Sequence, residues 1–517
     1  MDTHYDVLII GSGAGGGTLA RCLAEAGRKV LLLERGGWLP REPQNWDSAE
    51  VFQANRYVSP DIWKDKNGNS FQPGSHYFVG GATKMYGAAH FRFRERDFEE
   101  VTHIDGISPA WPLRYSDFEP YYAKAELMYH VHGLRGEDPT EPPASSPYPH
   151  PPVAHEPRMQ QLVDDFRSQG LHPFHMPVGV NLVEDNLPFS ACVKCNRCDG
   201  FPCLIHAKGD AEVMGVRPAL SATTSLTLMT HAQVQRLITD SSGHTVTQVE
   251  VEHEGELLSF SADLVVVSCG AANSARLLLM SANDRHPRGL ANSSDQVGRN
   301  YMYHNCKVVV AVAHEPNHTV FQKTPAINDW YFGDQDFDYP MGHVQMTGKT
   351  NGAMIKGYKP KLTAVAPAWA MDKIASHALD FWLQTEDLPL SENRVSVDSS
   401  GQITLAYTPT NDQASEQLTH RLEAVLDKAY AGTHIAEREI YYGSAMNIAA
   451  VGHQSGTCRF GDNPSTSVLD VNCKAHDLDN LYVVDTSFMP SISAVNPSLT
   501  AIANAIRVSE HLIERLS

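Results

Sequence analysis

Gly11, Gly13 and Gly16 stand in the spacing G-x-G-x-x-G, and the acid Glu34 follows them. That set suits a dinucleotide. Gly11 permits a tight turn, Gly13 lets the backbone approach a pyrophosphate, and Gly16 lets a helix lie close to a strand. The helix start, from Ala14 and Gly15, offers free N–H groups to phosphate, and Glu34 falls where a ribose hydroxyl needs an acceptor. A second constellation is Cys192-x-x-Cys195-x-x-Cys198-x-x-x-x-Cys203, four thiols in twelve residues. The first three have ferredoxin-like spacing, and the four together also suit zinc. A set of reduced, loop-stabilising thiols, or a single disulfide, is the plainer reading of the same residues.

The elements that must position the glycines are readable nearby. Asp6–Ile10 is an apolar run suited to a strand buried on both faces. A helical pattern then runs to Ala26, Gly27 suits a helix C-terminus, and residues 29–34 read as a second buried strand ending in the acid. A helix is expected over residues 115–130, and residues 133–157, rich in Pro, Ser and Glu, read as a surface excursion, a domain crossing or a simple solvated loop. Residues 234–238 and 247–251 alternate as strands joined by Asp240-Ser241-Ser242-Gly243, and residues 263–270 form another buried strand leading into a helix at 275–279. From about Val308 to Tyr441, strands and loops surround one strongly helical segment, 414–429, and predict an antiparallel sheet with helices on one face. The fold class expected is α/β in its first part and α+β overall.

Bulk properties narrow the function. The chain has 517 residues, too many for one ordinary core, and its composition, 42% hydrophobic and 20% charged, is globular. A net charge of −19 without a dense basic cluster excludes nucleic acid as a natural partner. No apolar run approaches the roughly 18 residues needed to cross a bilayer, so no membrane partner is expected. The N-terminus enters the first strand directly, which predicts a cytoplasmic protein.

Three further stretches carry a family resemblance. Val79-Gly80-Gly81-Ala82-Thr83-Lys84-Met85-Tyr86-Gly87 is similar to the flavin loop of the glucose-methanol-choline (GMC) oxidoreductases. The strand 263–270 with Ala275-Arg276-Leu277-Leu278-Leu279 resembles that family's strand–glycine–helix return. The tail resembles its C-terminal signature in three pieces: His453-Gln454-Ser455-Gly456-Thr457-Cys458-Arg459, Val484-Asp485-Thr486-Ser487-Phe488-Met489-Pro490 and Asn496-Pro497-Ser498-Leu499-Thr500. Val297-Gly298-Arg299-Asn300 is a weaker match.

The resemblance implies a resident FAD and places residues against it: Gly11, Gly13, Ala14, Gly15, Gly16, Glu34, Arg35, Gly80, Gly81, Thr83, Tyr86, Gly87, Val234, Gly270, Asp485, Asn496, Pro497 and Ser498. It implies that His453 is the base and that its partner Asn496 hydrogen-bonds the same substrate hydroxyl, with hydride passing to flavin N5. Covalent flavin attachment would need a histidine shortly after the double glycine. The nearest is His90, so a non-covalent flavin is expected. Asn496 suits a helix N-cap and Pro497 the first helical position, with Leu499, Ile502, Ala503 and Ile506 on one buried face.

The expected reaction is oxidation of a secondary hydroxyl of a sugar, glycoside or polyol to a ketone. Bacterial pyranose oxidase-like and glycoside 3-oxidase enzymes are the nearest subgroup implied, with reoxidation by O2 or another acceptor. An alternative is a dehydrogenase of another alcohol that passes electrons through an iron–sulfur cluster at the four cysteines to a partner. A lyase of the same fold and a non-redox flavin-containing binding protein are further alternatives. Residues 1–130, 204–305 and 445–517 are expected to form the FAD-binding domain, and 131–203 and 306–444 the substrate domain.

Overall fold

The computed structural model describes residues 3–358, 367–430, 440–445 and 452–517. Its first sheet grows from the apolar runs read above. The strands Leu226–Met229, Val30–Leu33, His4–Ile10 and Glu256–Val267 lie side by side in that order, and Leu481–Val483 pairs with the last of them. All these pairings are parallel, with Val7 opposite Val30 on one side and Leu264 on the other. Val7, Leu8, Ile9 and Ile10 are buried on both faces, which is why the run does not alternate with polar residues.

Glu256–Val267 has two jobs. Its first residues pair antiparallel with Val246–His253, which continues to Ala232–Thr239, while its later ones run parallel to His4–Ile10. The turn at Asp240 is held by that carboxylate, which accepts from the backbone N–H of Gly243 and His244. The strand–glycine–helix return is longer than its sequence pattern, with the helix spanning Ala271–Met280.

The second sheet is six-stranded and antiparallel throughout: Ile440–Ala445, Asn305–Val312, Ala378–Thr385, His343–Met346, Pro325–Ile327 and Phe174–His175. Its strands obey the two-residue period. Val309, Ala311, Val344, Leu379, Phe381 and Leu383 share a core with Met159, Leu162 and Phe166 of Pro157–Ser168 and with Leu418, Leu422 and Leu426 of Asp412–Tyr430. The intervening residues face the other way. Val308 lies opposite Trp382 in one pairing and Gln345 opposite Trp382 in the next, so these three form a row across three strands. A small third sheet ties Trp63–Asp65 and Ser70–Phe71 to Ile403–Ala406 and Arg394–Val397, which links the early and late segments of the chain.

The last helix corrects the sequence reading by one residue. It spans Ser498–Arg515 with Pro497 at the cap, and Asn496 makes no capping bond. Ala501, Asn504, Ala505 and Val508 are buried along with Leu499, Ile502, Ala503 and Ile506, so its first half is enclosed, while Arg507, Glu510, His511 and Glu514 leave an unburied face in its second half. It packs between the helices Ala14–Glu25 and Tyr115–Met128. Enclosure of the first half requires apolar and small residues on every side, so no clean stripe remains to be read there.

Candidate active site

Both glycine loops and the second sheet border one cavity of about 710 Å³, a size usual for a ligand site. Gly11 has φ +100°, and a Cβ there would enter the Ser268 carbonyl. Gly16 abuts the Gly11 carbonyl in the same way. Gly13 is different: its nearest neighbour in the Cβ direction is Gly81 Cα at 4.0 Å, so the backbone is open where a pyrophosphate would come. Gly15 has a role the spacing did not reveal. It lies against the carbonyl of Val484, so the helix crosses the end of the strand Leu481–Val483 at backbone contact. The helix Ala14–Glu25 has no side-chain cap, which leaves its first N–H groups free for a ligand.

Ser12 joins three parts of this wall. Its hydroxyl donates to Glu34 Oε2 at 2.6 Å and accepts from the Gly80 N–H at 3.1 Å. Glu34 also accepts from the backbone N–H of Ser12 and of Gly36, and burial raises its pKa despite these donors. Arg35 borders the cavity but is engaged elsewhere, paired with Asp61 at 3.2 Å and lying 3.9 Å from the Tyr77 ring centroid.

Gly80 and Gly81 have φ +99° and +56°, and a Cβ at Gly81 would lie 3.0 Å from Gly13 Cα. The two glycine loops therefore meet. The Thr83 hydroxyl fastens the second, donating to the Gly80 carbonyl at 2.5 Å and accepting from the Ala211 N–H at 3.0 Å. Lys84, wholly buried, pairs with Asp210 at 2.9 Å and Glu212 at 2.5 Å. Tyr86 donates to the Gly209 carbonyl and lies 3.2 Å from His90 Nε2. Gly87 leaves no space for a Cβ beside Asp199.

Gly11, Gly13, Ala14, Gly15, Glu34, Arg35, Gly81, Thr83, Tyr86, Gly87, Val234, Gly270, Asp485, Asn496, Pro497 and Ser498 all line the cavity, while Gly16 and Gly80 stand behind its wall. Asp485 also holds its own backbone in place. It accepts from Gly270 N–H at 2.9 Å, Ser274 Oγ at 2.5 Å, Ser487 N–H at 2.8 Å and the Ser487 hydroxyl, and so locks the turn after the central strand.

At the far end the cavity passes from the nucleotide loops to His453, Asn496, Val308, Gln345 and Trp382. Burial pushes the His453 pKa down to about 4, so the ring is neutral at physiological pH. Asn496 Oδ1 accepts from Gln384 Nε2 at 3.1 Å. His453 Nδ1 lies 2.9 Å from Nδ1 of His304, a wholly buried ring at right angles to it. Sequence reading missed His304 and Gln384. The only hint for His304 was its position four residues after the weak match at 297–300.

Nothing in the structure supports a metal at Cys192, Cys195, Cys198 and Cys203. All four are free thiols, and no group of three or more His, Cys, Asp or Glu side chains among the described residues is arranged to hold a metal. Another cation organises the loop. The buried Lys208 ammonium donates to the carbonyls of Tyr86, Cys198 and Phe201 at 2.8, 2.9 and 2.7 Å. Burial raises the Cys192 pKa to about 12 and raises Cys195 and Cys198 as well, so the free side chains are neutral thiols. The spacing serves packing: Cys192 and Cys198 lie in the main core.

The open Gly13 backbone, the uncapped helix start, the acid at Glu34 and the cavity's reach to a neutral histidine fit FAD. Among the described residues no helix is long and apolar enough to cross a membrane. Two family models described as GMC oxidoreductase match the chain, the N-terminal one over residues 5–306 and the C-terminal one over 389–505. The 6'''-hydroxyparomomycin C oxidase of Streptomyces lividus is 31% identical, covering 100% of this chain and 92% of the relative. The paromamine 6'-oxidase of Streptomyces fradiae is 30% identical over 98% and 91%. The crystal structure of pyridoxine 4-oxidase from Mesorbium loti superposes with a TM-score of 0.66 at 20% identity, covering 98% of this chain and 99% of that one.

Proposed function

This chain belongs to the GMC oxidoreductase family and is an FAD-dependent oxidoreductase acting on CH–OH groups, and from that premise we propose that it oxidises a secondary hydroxyl of a sugar, glycoside or polyol to a ketone. One observation carries the reading: His453 and Asn496 line the same cavity as Gly13 and Gly81. Bound FAD supplies the hydride acceptor, and O2 or another acceptor restores it.

The protein's own residues divide the remaining work. The Ala14–Glu25 helix start and Gly13 hold the pyrophosphate, and Glu34 takes the ribose. His453 is the base for the substrate hydroxyl proton, a role open to it because burial keeps its ring neutral. Asn496, restrained by Gln384, hydrogen-bonds the same hydroxyl without adding charge. Val308, Gln345 and Trp382 form the sugar-facing wall. Residues 1–130, 204–305 and 445–517 hold the cofactor, and 131–203 and 306–444 present the substrate. The flavin is held non-covalently, because His90 does not line the cavity and its ring faces Tyr86 and Tyr129.

A second reading, oxidation of a primary hydroxyl to an aldehyde, is favoured by the relative named as a paromamine 6'-oxidase. Identifying the product as ketone or aldehyde separates the two. The test of the shared chemistry is anaerobic bleaching of the bound flavin by a panel of sugars, glycosides, polyols and simple alcohols. His453→Ala is expected to slow bleaching by about 10²- to 10⁴-fold with flavin content unchanged. No bleaching by any sugar, glycoside or polyol would sink the substrate assignment, and an unaffected His453→Ala variant would sink the base.

A further inference from the structure

We propose that His304 is the positioning residue of the site: it fixes His453 as the Nδ1–H tautomer and leaves Nε2 as the basic nitrogen. The inference rests on the reading of His453 as base and extends it to a specific atom and a specific partner.

The hydrogen bonds allow one assignment. His304 Nε2 lies 3.0 Å from the carbonyl oxygen of Ser493, and a carbonyl can only accept, so this nitrogen carries a hydrogen. The ring is wholly enclosed, and burial together with the neighbouring His453 holds its pKa well below the ordinary histidine value. A neutral imidazole carries one hydrogen, so Nδ1 of His304 is a bare acceptor. It faces Nδ1 of His453 at 2.9 Å, and the hydrogen between them must belong to His453. His453 is neutral too, so its own Nε2 is left with a lone pair.

The Ser493 end of the relay is fixed by backbone. Ser493 has φ +58°, an unusual value for a residue with a side chain, and its N–H is 3.2 Å from the Glu386 carboxylate. That turn aims its carbonyl at His304. The chain of polarity therefore runs from the loop before the last helix, through His304, to the base.

Two consequences follow for the reaction. In the other tautomer Nε2 would carry a hydrogen and could not accept the substrate proton. When Nε2 does accept it, the O–H bond breaks and His453 becomes imidazolium; the hydride that must leave the carbon as the carbonyl forms is what bound FAD would take up. Its Nδ1–H then donates to neutral His304, a charge-assisted bond stronger than the one before transfer.

The deciding experiment pairs His304→Leu with His304→Asn, because the Asn Oδ1 falls near the Nδ1 position and accepts the same hydrogen. His304→Leu is expected to slow anaerobic flavin reduction by about 100-fold, with KM and flavin content within about twofold. His304→Asn is expected to recover most of that rate. A second readout is independent of turnover: the ¹⁵N spectrum of histidine-labelled holoenzyme, with the His453 signals assigned by their loss in His453→Ala. The expected pattern is a protonated Nδ1 and a bare Nε2. Equal slowing in both His304 variants, or a protonated Nε2 on His453, would overturn the inference. If His304→Leu fails to fold, the wild-type spectrum and His304→Asn still decide it. A His453→Ala enzyme that reduces its flavin at the normal rate would instead remove the base itself, an outcome these variants distinguish.

Discussion

The two walls of the cavity are built on opposite principles. The nucleotide wall is backbone: Gly11, Gly15 and Gly16 sit where a Cβ would enter a carbonyl, and Gly13 sits where nothing obstructs it. The opposite wall is side chain: Val308, Trp382 and Gln345 project from one face of an antiparallel sheet whose other face is filled by Val309, Phe381, Val344 and two helices. A backbone wall suits a ligand that never changes. A side-chain wall can be rewritten without disturbing the sheet that carries it, and substrate choice belongs there.

The largest effects therefore come from the backbone wall, and they divide into two kinds. Gly15→Val drives a branched side chain into the Val484 carbonyl across two elements that cannot both move. The expected outcome is protein that is insoluble or lacks flavin, read from the yield and the ratio of visible to ultraviolet absorbance. Gly13→Ala meets no protein atom closer than 4.0 Å, so the chain is expected to fold while FAD occupancy falls by about tenfold or more. If Gly13→Ala kept its flavin, the assignment of that open backbone to the pyrophosphate would fail.

Acid separates the walls by sign. His343 on the second sheet is buried, and that burial pushes its pKa from the ordinary 6.5 down to about 3. Unfolding releases it to take a proton, so wild-type stability falls as pH drops below about 6.5 and continues to fall toward 3. His343→Leu has no such term. Its stability deficit relative to wild type is expected to shrink by about 1.4 kcal/mol for each pH unit lowered in that window. Glu34 on the nucleotide wall is raised by burial and behaves oppositely: its cost grows as pH rises above the ordinary 4.5. Denaturant midpoints of flavin-free protein at pH 7 and 5 measure both, and a constant His343→Leu deficit would refute the first.

The same contrast explains what was legible in the residues. The glycine turn, its helix and its acid are consecutive, and each constraint is local, so strand, turn, helix and Glu34 read directly. The second sheet draws strands from 174–175, 305–312, 325–327, 343–346, 378–385 and 440–445, and no local pattern orders them. Its presence as an antiparallel unit was readable, but the row of Val308, Trp382 and Gln345 was not. His304 stayed hidden because its importance lies in two hydrogen bonds to residues 453 and 493, far along the chain. The cysteine spacing is local as well, but spacing does not distinguish metal ligands from loop packing, and the nearby Lys208 ammonium that organises the loop carries no spacing signal of its own.

The smallest expected effect is the one that tests the division of labour most finely. Trp382 and Gln345 are neighbours across strands and both line the cavity, yet neither touches the glycine loops in sequence or in register. Trp382→Phe keeps an aromatic face and removes the larger ring, so a sugar loses contact area while the sheet keeps its pairing. A rise in KM of about three- to tenfold is expected, equivalent to roughly 1 kcal/mol of lost ground-state binding. The limiting rate of flavin reduction should hold within about twofold, because His453 and Asn496 are untouched. Flavin content should match wild type, since no cofactor-facing backbone has moved. A fall in the limiting rate at constant KM would place Trp382 with the reacting atoms, and the clean separation between a cofactor wall and a substrate wall would have to be abandoned.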